Sequence, residues 1–336
     1  MGRAYFQRRA VEPDGGDGRR LRLRTADGYE IGAVFYAALR PRAPRRVALL
    51  HGGAGIPAVR YRRFAHFLAE WGIPVLTYDY RGIGLSRPPA LRGFQATIED
   101  WAEYDSAAAI AWLRERFPRD EILGISHSIG CLFLGGAPNA AEQARIVLVG
   151  AHTGYYGDYR PLYRLPMAFA WHGLMPALTR FVGYFPADRL GLGEDLPAGM
   201  ALEWAERRQP DLRLTELKVN GAEPAGERRL RLLEHCAALQ CPALAISISD
   251  DAFATVDGTR RLLSYFPNLT SAQHLVFSPP DAQVRRIGHF GFFRRTVGTT
   301  LWPRFLAQLD AGRAGAAQPP AQPAIASGSA SSANPS

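Results

Sequence analysis

The sequence predicts an α/β fold, in which a mostly parallel central sheet carries helices on both faces, an antiparallel hairpin opens the chain and a helical cap interrupts its second half. Three observations carry that prediction. Short apolar runs alternate with helical stretches: RVALLHGG precedes YRRFAHFLAEWG, PVLTYDYRG precedes IEDWAEYDSAAAIAWLRERF, and EILGISHS runs into a small-residue helix before ARIVLVGA. Continuous apolar strands separated by helices are what a sheet covered on both faces requires, because a βαβ crossover sets a helix between consecutive parallel strands. Ahead of this pattern, LRLRTADGYEIGAVFYAAL holds two β-like runs around Asp27-Gly28, a pair that accepts the positive φ angles of a tight hairpin. From Tyr155 to about residue 230 the alternation stops in a segment rich in Pro, aromatics and Met, too long for a plain loop; it resumes with CPALAISISDD, VDGTRRLLSYFP, AQHLVFSP and a last helix near Arg294 to Asp310.

The expected organisation is a disordered tail over 1–20, a core over 21–154 and 231–312, a cap over 155–230, and a second disordered tail over 313–336, where Ala, Pro, Ser and Gly leave little to bury. Within the helix expected from Ile98 to Phe117, Trp101, Tyr104, Ala108, Trp112 and Leu113 form a stripe that faces the sheet, so these aromatics are core residues.

Composition narrows the function. A hydrophobic content of 47% with 21% charged residues describes an ordinary globular chain, and no run of eighteen apolar residues suggests a membrane span, so stable membrane insertion is not expected. The first residues lack an apolar signal-peptide core, which makes the cytoplasm the expected location. Cys131, Cys236 and Cys241 have neither metal-ligand spacing nor an even count, so no zinc site, disulfide framework or cofactor is expected. The net charge of +9 comes almost wholly from arginine scattered along the chain, Lys218 being the single lysine, which reads as a solvated surface and not as a nucleic-acid footprint. Nothing in the sequence indicates the oligomeric state.

The most informative stretch is Glu121 to Gly130, EILGISHSIG, where a strand runs straight into Ser-His-Ser-Ile-Gly and a helix. A nucleophile elbow sets serine on a strained strand-to-helix turn and needs small residues two before and two after it. Ser128 satisfies this with Ser126 and Gly130. Ser126 is the alternative, flanked by Gly124 and Ser128, but Ser128 leaves the strand its full length and puts Gly130 in the first helical turn. Upstream, ALLHGGAG ends a strand in glycines where an oxyanion-stabilising amide belongs, so Gly53 and Ile129 are the candidate donors. The base is sought among eight histidines. If the order is serine, acid, histidine, His274 and His289 remain; His274 lies inside the strand-like AQHLVF, whereas His289 sits in the Gly-flanked RRIGHFGFF. His152 follows a strand and is placed to line the site. For the acid, CPALAISISDD ends in Asp250 and Asp251 at the expected carboxyl edge of the sheet, and Asp251 is preferred because successive side chains of an extended chain diverge.

Together these residues resemble the α/β-hydrolase superfamily, in which YDYRGIGLS (Tyr78 to Ser86) is similar to the D-x-R-G-x-G-x-S loop. More narrowly, GYFPADRLGLGEDLPAGMALEWAERRQP, the stretch from Asp250 to Ala254, and RRIGHFGFFRR followed by LWP resemble a bacterial subgroup of α/β-hydrolases related to serine aminopeptidase and monoglyceride lipase-like enzymes. The likeness spans about residues 20 to 310, with departures at Ser126, Cys131 and Thr255. It implies a Ser128, Asp251 and His289 triad, Gly53 and Ile129 as oxyanion donors, and structural roles for Asp79 and Arg81. The expected activity is cleavage of a carboxylic ester or thioester through an acyl-enzyme. An acyltransferase, a C–C bond hydrolase and a non-catalytic binding protein are the alternatives. Tyr163, Phe169, Trp171, Met175 and Phe181 in the cap suggest a small-molecule substrate with an apolar acyl or alcohol group, or else they seal the cap to the core.

Overall fold

The computed structural model describes residues 18–38, 40, 45–206 and 224–314, so most of the two tails expected at the chain ends lies outside the described residues. At the borders, strand β1 (Arg19–Arg24) and the last helix α10 (Arg295–Ala314) each take in two residues assigned to a tail. β1 turns back at Thr25, whose amide and carbonyl bond to Tyr29 and Gly28, into β2 (Glu30–Tyr36); Gly28 at φ 89° supplies the turn the Asp-Gly pair predicts.

Strands β3 (Arg46–His51), β4 (Val75–Tyr78), β5 (Glu121–His127), β6 (Gln143–Val149), β9 (Pro242–Ile248) and β10 (Ser271–Phe277) complete one eight-stranded sheet. Its order is β1-β2-β4-β3-β5-β6-β9-β10, antiparallel from β1 to β4 and parallel thereafter. Alternate residues of one strand serve opposite faces: Val47 and Leu49 join one core, Ala48 and Leu50 the other, which lies under α1 (Arg62–Glu70) and α10. Fully buried Phe64, Phe292, Phe293 and Phe305 fill that second layer.

The helix expected over Ile98 to Phe117 is present but not uniform. It opens as α2 (Ile98–Asp100) on a capping box from Thr97, passes through a π-helical turn at Trp101–Ser106 and continues as α3 (Ala107–Arg116). The wider turn changes the phase. Buried positions recur every four residues as Trp101 and Ala102, Asp105 and Ser106, Ala109 and Ile110, so Tyr104, Ala108 and Trp112 sit at the margin of the stripe they were expected to form.

After β5 comes α4 (Gly130–Gly136), fully buried. Between β6 and β9 the chain forms α5 (Pro161–Phe169), a π-helical turn, α6 (Met175–Val182), a ribbon of β7 (Tyr184–Phe185) and β8 (Leu196–Pro197), and α7 (Ala198–Glu206). This insertion is tied to the core: Glu203 on α7 accepts the Ile98 amide that opens α2, and Arg87 pairs with Asp195 at 2.8 Å. The border expected after residue 230 falls inside α8 (Pro224–Ala238), whose Leu232, Leu233 and Cys236 belong to the core around α4. Helix α9 (Val256–Leu263) then precedes β10.

Candidate active site

Parallel strands deliver their successor residues to one edge, and here β5, β6 and β9 each hand a polar side chain to the same place. His127 pairs in register with Val149, so β5 and β6 end level, and Ser128 and Gly150 extend the ladder through Ser128 N to Val149 O and Gly150 N to Ile246 O. Ser128 stands at φ 58°, the left-handed conformation that a serine adopts only under constraint. The constraint is steric and local. A Cβ on Gly130 would lie 2.4 Å from the Gly52 carbonyl oxygen and 2.7 Å from that of His51, so the start of α4 packs directly on the end of β3. Ser126 fits its tight position because its hydroxyl donates to the Val147 carbonyl at 3.2 Å.

The three expected residues converge. Ser128 Oγ lies 2.9 Å from His289 Nε2, and His289 Nδ1 lies 2.7 Å from Asp251 Oδ2. Asp251 Oδ1 accepts the amides of Phe253 and Ala254. Burial by itself would raise this carboxyl, but the His289 ring, its hydrogen bond and those two amides outweigh it and hold the group at about 2. An ionised Asp251 fixes the proton of neutral His289 on Nδ1 and leaves Nε2 bare toward Ser128. Asp250 does something else: its oxygens accept the amides of Ile287 and Gly288 and so anchor the loop that carries His289. His274 remains within β10, bonded to Ser247 Oγ.

A fourth side chain reaches the same oxygen. His152 Nε2 lies 2.9 Å from Ser128 Oγ, and its Nδ1 accepts the Gly154 amide at 2.9 Å. Burial, reinforced by the charge His289 can carry, pushes this ring down to about 3, so it is neutral near pH 7 with its proton on Nε2. The sequence places His152 at the right strand end and as a residue lining the site, and the structure adds its direct bond to Ser128; the signal was its position two residues past Gly150, where β6 stops beside the elbow strand.

The expected oxyanion donors differ from one another. Gly53 is beside the serine, since a Cβ there would be 3.2 Å from Ser128 Cβ, yet its amide donates to Tyr61 Oη at 2.9 Å. That hydroxyl also bonds His127 Nδ1 at 2.9 Å, and His127 Nε2 donates to the His289 carbonyl. Ile129 is the N-cap of α4, a position whose N–H has no acceptor within the helix. Asp79 and Arg81 are structural: Asp79 accepts the amides of Ala58 and Leu85, and Arg81 is clamped between Asp27 and Asp105. Cys131 is buried with its thiol on the Ser128 carbonyl.

Aromatic rings surround the two imidazoles, with Phe253 5.7 Å from His289 and Tyr159 and Trp204 6.1 and 6.4 Å from His152. These are not the cap residues the sequence singled out. Phe169 and Phe181 face solvent, 70% and 85% exposed, while Trp171 packs on Trp204 and Met175 is buried. Among the described residues no group of His, Cys, Asp and Glu is arranged to hold a metal ion, and no helix is long and apolar enough to cross a membrane.

A family model described as serine aminopeptidase, S33, matches residues 41–270. The chain belongs to the serine aminopeptidase S33 family. Membership makes it a hydrolase of the α/β type, and the matched span of this S33 chain contains Ser128 and Asp251 but stops before His289. Solved structures share the fold. An esterase from Pyrococcus furiosus matches with a TM-score of 0.52 at 14% identity, over 88% of this chain and 89% of that one. A soluble variant of monoglyceride lipase from Saccharomyces cerevisiae gives 0.52 at 14% over 90% and 99%, and a thermophilic esterase from Thermogutta terrifontis 0.51 at 17% over 87% and 99%. No curated protein sequence matches.

Proposed function

We propose that this S33-family member is a serine hydrolase of carboxylic esters or thioesters, working through an acyl-enzyme on Ser128. The observation that carries the reading is the line Ser128 Oγ, His289 Nε2, His289 Nδ1, Asp251 Oδ2, with contacts of 2.9 and 2.7 Å. His289 takes the Ser128 proton as Oγ bonds to the substrate carbonyl carbon, and the resulting oxyanion rests on the Ile129 amide; Gly53 joins it by exchanging Tyr61 Oη for the substrate oxygen. His289 then gives the proton to the departing alcohol or thiol as its bond to carbon breaks. Water, deprotonated by the same nitrogen, releases the acid and restores Ser128.

The rings of Tyr159, Trp204 and Phe253 around the imidazoles favour a small molecule with an apolar acyl or alcohol part. Three fold neighbours, two esterases and a monoglyceride lipase, agree with ester cleavage. The insertion over 155–230 is read as a cap on that substrate. Three buried free thiols suit a reducing compartment, which supports the cytoplasm. The departure at Ser126 does not argue against turnover, since the Val147 carbonyl accommodates its hydroxyl.

The test is a fluorophosphonate probe on the wild type and Ser128→Ala, followed by a series of p-nitrophenyl esters of rising acyl length with product analysis. Labelling lost in the variant and turnover that rises with acyl length support the proposal. Equal labelling of both proteins rejects Ser128, and products joined to an added alcohol instead of water point to an acyltransferase.

A further inference from the structure

Two imidazoles contact one serine oxygen, and a hydroxyl has a single hydrogen to give. Each ring's other nitrogen decides which way the bonds run. His289 Nδ1 faces a carboxylate, so its Nε2 is an acceptor; His152 Nδ1 faces an amide N–H, so its Nε2 is a donor. The Ser128 hydrogen therefore points to His289, while Ser128 Oγ accepts from His152. The segment that carries His152 is held in place. Gly150 is tied to Ile246, the Ala151 carbonyl accepts from Thr259 Oγ1 at 3.0 Å, and the ring is 4% exposed between Tyr159 and Trp204.

Resting on the Ser128 reading, we propose that His152 is a fourth catalytic residue, a fixed N–H donor that orients the Ser128 oxygen and stabilises the negative charge it gains as His289 draws its proton away. The donor is preorganised, which is what makes such a bond worth more in the transition state than in the ground state. It strengthens as Oγ moves toward alkoxide character, because a charge-assisted hydrogen bond is about twice as strong as a neutral one. When His289 becomes cationic, its charge disfavours a second proton on the neighbouring ring, centroid to centroid 5.5 Å away, so His152 stays a donor throughout the proton transfer. It never serves as base, since its one bare nitrogen is held by Gly154.

The experiment compares His152→Ala and His152→Gln with wild type, Ser128→Ala and His289→Ala, reading kcat, KM, the fluorophosphonate inactivation rate and the melting temperature. Glutamine offers an acceptor and a donor as the neutral ring does, but takes up no proton. The alanine variant should lose about 100-fold in kcat and in inactivation rate, the scale for removing one preorganised donor, with KM within about threefold. The glutamine variant should recover to within about tenfold of wild type with an unchanged pH profile. Wild-type kcat in the alanine variant overturns the proposal, and so does a folded glutamine variant as slow as alanine, which would mean that the ring must carry a proton. Full turnover in Ser128→Ala would instead refute the underlying triad, whatever His152 does.

Discussion

Asp250 and Asp251 are adjacent in the chain and serve different ends of the same loop: Asp251 bonds the His289 ring, and Asp250 bonds the backbone amides of Ile287 and Gly288 just before it. The first contact sets the tautomer of the base and the second sets where the base stands. Asp251→Asn should therefore reduce kcat by about 10³- to 10⁴-fold, the scale for a mis-set imidazole, with a modest change in KM. Asp250→Asn keeps one acceptor for two amides and should cost about tenfold. Steady-state kinetics on both variants check this, and a larger loss at Asp250 would contradict the assignment.

How far the sequence exposes the site follows from where each residue sits. Ser128 and Asp251 are legible because each lies just past the end of an apolar strand, and His289 because glycines flank it in a loop before the last helix. His152 also follows a strand between Gly150 and Gly154, but its contact with Ser128 depends on β6 and β5 ending in register, a pairing that only the assembled sheet supplies. The engagement of Gly53 by Tyr61 arises between a loop and the helix that follows it, so strand and turn patterns predict the glycine and miss its partner. The π-helical turn at Trp101–Ser106 escapes a 3.6-residue reading because its phase shift begins inside the apolar stripe. Arginine looked scattered, yet Arg60, Arg62, Arg63, Arg294 and Arg295 line one cavity of about 510 Å³ because the starts of α1 and α10 lie together.

The elbow separates two kinds of small residue. Ser126→Gly removes a buried hydroxyl whose bond to Val147 is long, and adds backbone freedom to a strand; together these should lower stability by about 1–2 kcal/mol and leave kcat within about threefold. Gly130→Ala places a methyl 2.4 Å from the Gly52 oxygen, an overlap that should destabilise by about 1–3 kcal/mol and displace Ser128. Urea unfolding with the fluorophosphonate rate distinguishes them: only the alanine variant should lose reactivity.

Buried histidines make stability fall with pH in a defined window. His51 is bonded to Tyr78 Oη, and burial holds its ring at about 3 against an ordinary 6.5. Below pH 6.5 the unfolded chain takes up this proton and the folded chain does not, so the contribution is complete above 6.5 and declines as pH drops toward 3. Asp79, which burial raises to about 6, acts in the opposite direction over pH 4 to 6, so the histidine term is read as a difference. Unfolding free energy of His51→Asn should fall less steeply than wild type between pH 6 and 4, by up to about 1.4 kcal/mol per pH unit. Parallel slopes in urea titrations would show that the ring protonates without unfolding.

Arg81 offers a test of structure against catalysis. Its guanidinium bonds Asp105 through Nε at 2.8 Å and Asp27 through Nη1 at 2.6 Å, while its own amide donates to Asp105 as well. The rings of Tyr29 and Tyr104 lie 5.1 and 5.3 Å from its charge. The clamp joins the β1–β2 hairpin, the loop after β4 and the π-helical turn, three segments far apart in sequence. Arg81→Ala strands a fully buried Asp105 without its counter-charge, which should lower stability by about 3–5 kcal/mol. Lysine restores the charge but has no planar fork to hold two carboxylates, so Arg81→Lys should recover less than half of that loss. Because no atom of the clamp bonds Ser128, His152 or His289, kcat per folded molecule should stay within about threefold at a temperature where each variant is folded. Active-site titration beside thermal melts decides the matter: a normal melting curve with lost turnover would move Arg81 from the scaffold into the reaction.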